Sequence, residues 1–279
     1  MPPAWGSSIR CPGPLSSGNR LCRGISPTFW NSCVHADWIV PDWPAPPAVR
    51  ALQTTRQGGT SSGPYRSLNL GDHVGDDPAA VAANRDRLRM VLPATPIWLQ
   101  QVHGIGVVDA DSAAPGTVAD ASIARRSGSV CGVMTADCLP ILLCDREGTA
   151  VAAIHAGWRG LAAGVIEAAV RAMGRPGSAC LAWLGPAIGP DRFEVGAEVR
   201  EAFTAADPAA EAAFSPGAPG KWFANLDLLA RQRLARVGID AVFGGGLCTA
   251  SDPERFFSHR RDGVCGRQAS FVWLVPASV

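Results

Sequence analysis

Residues Met134–Gly160, MTADCLPILLCDREGTAVAAIHAGWRG, contain two apolar runs separated by a short polar break. LPILLCD and TAVAAIHAG each have the length of a strand, and the REG between them has the composition of a hairpin turn. We therefore predict two neighbouring strands at the centre of the fold. A core strand needs neither Cys138, in the turn before the first run, nor His155, at the end of the second.

The rest of the chain predicts strands that alternate irregularly with helices. Asp77 followed by Pro78 marks the start of one helix. Further helices are predicted over GLAAGVIEAAVRAMG, GAEVREAFTAAD and NLDLLARQRLARVG. Strands are predicted over AVRALQTTR, IWLQQVHG with GVVDAD as its hairpin partner, SVCGVMTADC, ACLAWLG, AVFGGGLCT and ASFVWLV. This order indicates an α/β protein: a single domain with mixed β-sheet layers flanked by helices.

The N-terminal segment differs in composition from the rest of the chain. Residues 1–37 are rich in Gly, Pro and Ser and show neither helical nor strand periodicity. They also lack the continuous apolar run of a secretory signal. We predict that residues 1–37 are a disordered extension, or one that results from a start codon assigned too far upstream. Residues 38–279 are predicted to form the catalytic domain. His35, Cys11, Cys22 and Cys33 fall in the extension and receive no role.

Composition argues against several classes of function. Lys and Arg number 25 against 24 Asp and Glu, so no basic surplus points to nucleic acid. No apolar run approaches the ~20 residues that span a membrane. The cysteines number nine and form no CxxC pair, which favours a reduced, cytoplasmic protein over a disulfide scaffold. We expect a monomer.

Three side chains predict a metal site. His103 and His155 each end an apolar run, and Cys138 lies in the turn between two such runs. If these runs are neighbours in one sheet, the three side chains converge at one edge. Two imidazoles and a thiolate suit a tetrahedral zinc ion whose fourth position is open, which is the pattern of catalytic zinc sites.

Two other interpretations of these residues stay open at this point. Cys138 could be a nucleophilic thiolate with His155 as its base and Asp137 or Asp120 orienting the imidazole, as in a thiol hydrolase. Alternatively, the histidines are buried or end their elements for packing reasons, and the cysteine is a small core residue. Spacing alone does not separate these possibilities.

Four arginines are candidates for binding phosphate. Arg66 lies in the long Gly-rich loop before Asp77, and Arg159 lies at the start of a predicted helix. Arg260 and Arg261 belong to the basic loop before the last strand. Guanidinium groups bind phosphate through two parallel hydrogen bonds, although surface arginines in solvated loops are also common.

Six motifs in this order resemble one known family. They are SLNLGDHVGDDP, WLQQVHG, VMTADCLPILLCD, AAIHAGWRGLAAGVIEAAV, WLGPAIGPDRFEVG and CTASDPERFFSHRRDGVCGRQASFVWL. The family is the YfiH-type family, also called the laccase-domain or polyphenol oxidase family and described as purine nucleoside phosphorylase. The resemblance covers the chain from about residue 38 to 277.

The resemblance implies a single α/β domain, related in fold to the cysteine hydrolase domain of certain deamidating toxins. It implies that His103, Cys138 and His155 bind zinc and form the catalytic centre. It also implies phosphorolysis of adenosine, inosine, guanosine and 5′-methylthioadenosine, with deamination of adenosine as a further activity. The expected partners are therefore purine nucleosides and phosphate, with Arg66, Arg159, Arg260 and Arg261 as the phosphate ligands.

Older descriptions of the family lead to two alternative enzymes, and a third alternative is a protein without enzymatic activity. A polyphenol oxidase of the multicopper kind needs far more histidines than the four that follow the N-terminal segment, so copper fits less well than zinc. A cysteine hydrolase or peptidoglycan-editing enzyme would use Cys138 as its nucleophile. A binding or scaffold protein would hold zinc only structurally, with four protein ligands.

Overall fold

The structure is a computed structural model that describes residues 34–276. These residues contain twelve strands: β1 (Val49–Gln53), β2 (Val107–Asp109), β3 (Ala121–Ala124), β4 (Val130–Thr135), β5 (Leu139–Asp145), β6 (Val151–Ala156), β7 (Cys180–Leu184), β8 (Glu194–Gly196), β9 (Phe214–Pro216), β10 (Lys221–Ala224), β11 (Val242–Gly244) and β12 (Gln268–Leu274). They also contain six α-helices: α1 (Pro78–Leu88), α2 (Trp158–Ala163), α3 (Val165–Met173), α4 (Ala197–Thr204), α5 (Leu226–Arg236) and α6 (His259–Asp262). None of these helices is long and apolar enough to cross a bilayer.

The predicted N-terminal extension falls largely outside the described residues. Cys11, Cys22 and Cys33 lie there, and so does the rest of the segment up to residue 33. Residues 34–37 are described and form a turn in which the Trp38 backbone N–H donates to the His35 carbonyl oxygen at 2.9 Å.

The strands form three sheets. The largest has six strands in the order β11-β7-β5-β6-β3-β2, with parallel pairing at its two edges and antiparallel pairing between. The second is antiparallel, in the order β1-β12-β4, and the third is a small antiparallel sheet of β8, β10 and β9. These sheets and helices confirm the predicted mixed α/β class.

The two apolar runs of the opening stretch form the central hairpin, as predicted. β5 and β6 pair antiparallel, with Leu139 opposite Ala156. Gly148 occupies the turn with a φ of +69°, a left-handed conformation that glycine adopts without steric cost. Both strands are buried along their whole length, which explains why their sequences are apolar without alternation.

Opposite faces of the six-stranded sheet have different neighbours. Leu142 and Cys144 point to the three-stranded sheet and share a core with Val133 and Val272. The alternate residues of β5 point the other way, to the layer that contains α3 and α5. Beyond the three-stranded sheet, Leu88 of α1 joins the core on its outer face. The result is four layers: helix, sheet, sheet and helices.

The segment IWLQQVHG is not the predicted strand. It contributes one isolated bridge, from Gln100 to Val118, and β2 pairs in parallel with β3 instead of forming a hairpin with it. The Gln101 side chain takes the place of a neighbouring strand, because its amide donates to the Met134 carbonyl and accepts from the Met134 N–H, both at 2.8 Å. A side chain therefore satisfies this edge of β4.

The helix predicted over GLAAGVIEAAVRAMG is divided into α2 and α3. Gly164 separates them with a φ of +103°, so the chain changes direction there. Gly174 ends α3 in the left-handed conformation, as predicted.

The side chain of Asn84, a polar residue of α1, is fully buried. Its amide oxygen accepts from the Thr60 N–H at 2.8 Å, and its amide nitrogen donates to the Ser61 hydroxyl and the Asn69 carbonyl, each at 2.9 Å. A polar residue in a helix can thus be buried when it satisfies the backbone of a loop. Asn84 holds the Gly-rich loop against α1.

We expect Asn84→Ala to lower the free energy of unfolding by about 3 kcal/mol, because several buried polar groups of the loop lose their partner. The loop should also become accessible to trypsin after Arg66. Urea unfolding and limited proteolysis measure the two effects. Arg87→Ala, an exposed change on the same helix, is the control and should stay within about 0.5 kcal/mol of the wild type. Equal stability of the two variants would contradict the role of Asn84.

Candidate metal centre

The register of the strands brings the predicted ligands to one end of the sheets. Cys138 directly precedes β5, and His155 is the penultimate residue of β6, opposite Pro140. β3 begins one residue after Asp120, with Ala121 opposite Ile154. The turn before β5, the end of β6 and the beginning of β3 therefore lie side by side.

His103, Cys138 and His155 converge there. Their ligand atoms all lie within 4.8 Å of one another. The Cys138 Sγ lies 3.7 Å from the His103 Nε2, and the two imidazole rings lie 4.8 Å apart at an angle of 73°. His155 is buried, Cys138 is partly buried and His103 is exposed, so the cluster opens to solvent on the side of His103.

A buried carboxylate orients this cluster. Asp120 Oδ1 lies 2.8 Å from the His155 Nδ1, which donates to it and leaves Nε2 directed at the cluster. The same carboxylate accepts the backbone N–H groups of Val102, His103 and Gly104 at 3.2, 2.8 and 2.7 Å. Asp120 thereby fixes the tautomer of one histidine and the position of the loop that carries the other.

The charges of the cluster support one another. Burial opposes ionisation of Cys138, but the His155 imidazole and the hydrogen bond from His103 outweigh it and lower the pKa of the thiol to about 6. Burial likewise opposes the charged form of His155, but Cys138 and Asp120 raise the pKa of that imidazole to about 9. The hydrogen bonds to Asp120 lower the pKa of its carboxyl group despite its burial. The site thus favours a thiolate paired with an imidazolium. The thiolate is the form that binds metals, and a bound metal would replace the proton on His155 Nε2.

The cluster leaves no room for a side chain at position 157, which is a glycine. A Cβ atom at this position would lie 2.7 Å from the His103 Cδ2 and 3.0 Å from the Cys138 Sγ. Only glycine allows β6 to pass into α2 this close to the two side chains. The glycine of the HAGW motif is therefore the sequence signal of a close approach, which sequence reasoning alone did not recognise.

The structure separates the four candidate arginines into two kinds. Arg159 and Arg66 are exposed, Arg159 with its guanidinium 4.4 Å from the Trp158 ring centroid. Arg261 is occupied by the protein itself: it binds both carboxylate oxygens of Asp262 at 2.7 Å and donates to the Thr249 carbonyl at 2.8 Å. Its guanidinium stabilises a loop and is not free to bind an anion in this conformation.

Arg260 is connected to the cluster through its backbone. Its N–H donates to the Asp137 Oδ2 at 2.6 Å, and Asp137 directly precedes Cys138. Its guanidinium donates to the Glu194 carbonyl at 2.8 Å and lies 5.3 Å from the Phe193 ring centroid. The structure therefore brings the three predicted metal ligands together and places Arg260 in the neighbouring short helix α6.

Comparisons with known proteins agree with the family resemblance of the six sequence motifs. A family model described as multi-copper polyphenol oxidoreductase laccase matches residues 50–275. The chain is 59% identical over 240 residues to a purine nucleoside phosphorylase of Pseudomonas aeruginosa, covering 85% of this chain and 98% of the relative. It is 54% identical over 240 residues to the purine nucleoside phosphorylase YfiH of Escherichia coli K12, with the same coverages of 85% and 98%.

Solved structures show the same fold. A crystal structure of a Neisseria meningitidis protein is similar with a TM-score of 0.84 at 50% identity, covering 86% of this chain and 100% of that chain. The crystal structure of YlmD from Geobacillus stearothermophilus is similar with a TM-score of 0.80 at 29% identity, over 86% and 96% of the two chains. The chain therefore belongs to the YfiH-type, or laccase-domain, family, as its six motifs predicted.

Proposed function

We propose that this protein is a zinc-dependent purine nucleoside phosphorylase that also deaminates adenosine. The observation that carries the proposal is the cluster of two imidazoles and one thiolate, oriented by Asp120, in a chain 59% identical to a protein named purine nucleoside phosphorylase. The proposed substrates are adenosine, inosine, guanosine and 5′-methylthioadenosine, with phosphate as the second substrate of phosphorolysis.

The donor set fits zinc better than copper. His103, Cys138 and His155 would hold the ion, since two imidazole nitrogens and a thiolate are typical ligands of catalytic zinc. A bound zinc ion supplies Lewis acidity to an oxygen of the substrate or of water. Within residues 34–276 no second group of three or more His, Cys, Asp or Glu ligands converges, whereas a multicopper oxidase needs more. The residues therefore disagree with the copper in the description of the family model.

The protein's own groups have separate tasks in this proposal. Asp120 keeps the proton on His155 Nδ1, so that Nε2 remains a ligand. Arg66, Arg159 and Arg260 bind phosphate, whose oxygen forms a bond to C1′ of the nucleoside while the bond from C1′ to the base breaks. Arg261 holds the Thr249 and Phe256 carbonyl groups of the segment that precedes Arg260. The products are the free purine and ribose 1-phosphate, or 5-methylthioribose 1-phosphate when the substrate is 5′-methylthioadenosine.

We further propose that the protein works in the reducing cytoplasm. All six cysteines within the described part of the chain are free thiols, and Cys138 is among them. Oxidation of this thiolate would remove a metal ligand, so the proposed centre requires a reducing compartment.

One observation favours a second candidate, a cysteine hydrolase or peptidoglycan-editing enzyme. The pKa of Cys138 is lowered to about 6 by His155 and His103 despite burial, and Asp120 orients His155 as the third member of a nucleophilic triad.

Zinc content separates the two candidates. We expect about one zinc ion per chain and activity that a chelator abolishes and zinc restores. Activity that resists chelation and is lost on thiol alkylation would favour the hydrolase.

We expect zinc-loaded wild-type protein to convert inosine and phosphate to hypoxanthine and ribose 1-phosphate. Cys138→Ala should reduce the rate by more than about 100-fold, because it removes a proposed ligand. Cys180→Ala, a buried cysteine at the other end of the sheet, is the control and should keep the rate. Equal rates in Cys138→Ala and wild type would refute the metal assignment, and an inactive zinc-loaded wild type would refute the substrate class.

Asp120→Asn should weaken zinc binding by about 10- to 100-fold, because His155 loses the charged acceptor that orients it. Competition with a chromophoric chelator measures the affinity directly. Asp109→Asn removes a carboxylate that pairs with Arg125 at 3.2 Å near the surface of the same sheet, and it should leave zinc binding unchanged. If both variants bind zinc as tightly as the wild type, Asp120 does not orient a ligand.

A further inference from the structure

Asp137 occupies a strained and fully bonded position directly before Cys138. It is 9% exposed and has a φ of +91°, which side-chain-bearing residues rarely adopt. Its Oδ1 accepts the hydroxyl of the buried Thr249 at 2.6 Å, and its Oδ2 accepts the Arg260 N–H at 2.6 Å. Its carbonyl oxygen accepts the Ile188 N–H at 2.9 Å.

These partners come from two connections that are distant in sequence from Asp137: Ile188 follows β7, and Thr249 and Arg260 lie between β11 and β12. Thr249 is 112 residues from Asp137 and Arg260 is 123 residues from it. The loops also bind one another, because the Thr249 N–H donates to the Ala187 carbonyl at 2.9 Å and Arg261 donates to the Thr249 carbonyl at 2.8 Å. Asp137 is thus the point at which the loops after β7 and β11 meet the turn before β5.

The hydrogen bonds of Asp137 exclude one role for this residue and indicate another. Both carboxylate oxygens of Asp137 are used by Thr249 and Arg260, while the His155 Nδ1 is paired with Asp120. Asp137 therefore does not orient the imidazole, which was one of the two options that the sequence left open. A strained backbone persists only where surrounding contacts determine it, and here those contacts set the direction in which Cys138 leaves the turn.

We propose that Asp137 is a positioning residue that keeps the Cys138 thiolate close enough to His103 and His155 to share one metal ion. It also joins Cys138 to the segment between β11 and β12 that contains Thr249 and Arg260. This inference rests on the metal centre of the proposed function but not on its substrates. When Asp137 loses either side-chain partner, the turn relaxes toward ordinary backbone angles and the sulfur moves away from the two nitrogens. The metal then binds more weakly and its bond to sulfur changes.

Cobalt(II) tests this directly, because a cobalt–thiolate bond gives a charge-transfer absorption band that reports the sulfur ligand without any catalysis. The variants are Asp137→Asn, which replaces one accepting carboxylate oxygen by an amide nitrogen that cannot accept and removes the charge, and Thr249→Val, which removes the hydroxyl at nearly constant shape. Thr249→Ser keeps the hydroxyl and should rescue. The matched control is Thr149→Val, which removes a threonine bond to Asp145 at the opposite end of the same hairpin.

We expect Asp137→Asn and Thr249→Val to lower cobalt affinity by about tenfold or more and to weaken or shift the thiolate band. Thr249→Ser and Thr149→Val should stay within about twofold of the wild type, as is usual when the metal's supporting contacts are intact. Circular dichroism confirms that each variant is folded, and Thr249→Val decides the question if Asp137→Asn does not fold.

Three results would overturn the inference: unchanged affinity and band in folded Thr249→Val, a loss in Thr249→Ser equal to that in Thr249→Val, or no thiolate band in the wild type. A wild type that shows the band and the expected series but does not cleave inosine refutes the proposed substrates and leaves the role of Asp137 standing.

Discussion

The candidate centre depends on the buried carboxylate of Asp120. A buried charge is costly unless donors surround it, and here one imidazole and three backbone N–H groups do so. These donors belong to two parts of the molecule, the end of β6 and the loop at residues 102–104. That loop has little strand pairing of its own, so the carboxylate determines where His103 lies relative to His155.

Buried polar side chains hold two other irregular segments in a similar way. Asn84 uses its amide to hold the Gly-rich loop, and Asp137 uses its carboxylate to hold the turn before Cys138. In each case one buried polar side chain binds backbone or side-chain groups of segments that are distant from it in sequence. The sheets form the buried base, and these three side chains fix the positions of irregular segments relative to it.

The donor set also explains how the family's descriptions relate to this chain. Two imidazoles and one thiolate could hold a single metal ion with one side open, an arrangement suited to polarising an oxygen. The cysteine and histidines that could act as a nucleophile and base are the same atoms. Metal binding and thiol chemistry are therefore competing uses of one cluster, and the pKa of Cys138, lowered to about 6 by the two histidines against its burial, serves either use.

Sequence alone determined the elements whose signals are local. The apolar runs of β5 and β6, the REG turn, the cap at Asp77 and the stop at Gly174 are patterns of neighbouring residues, and the structure confirms them. Motif order identified the family and named the three proposed ligands. Tertiary structure alone decided that IWLQQVHG is not a strand, that Asn84 is buried, that Arg261 is occupied and which aspartate orients His155. Each of these depends either on a partner 15 or more residues away or on backbone groups that only folding brings within hydrogen-bond distance. Such contacts leave no periodic pattern in the sequence.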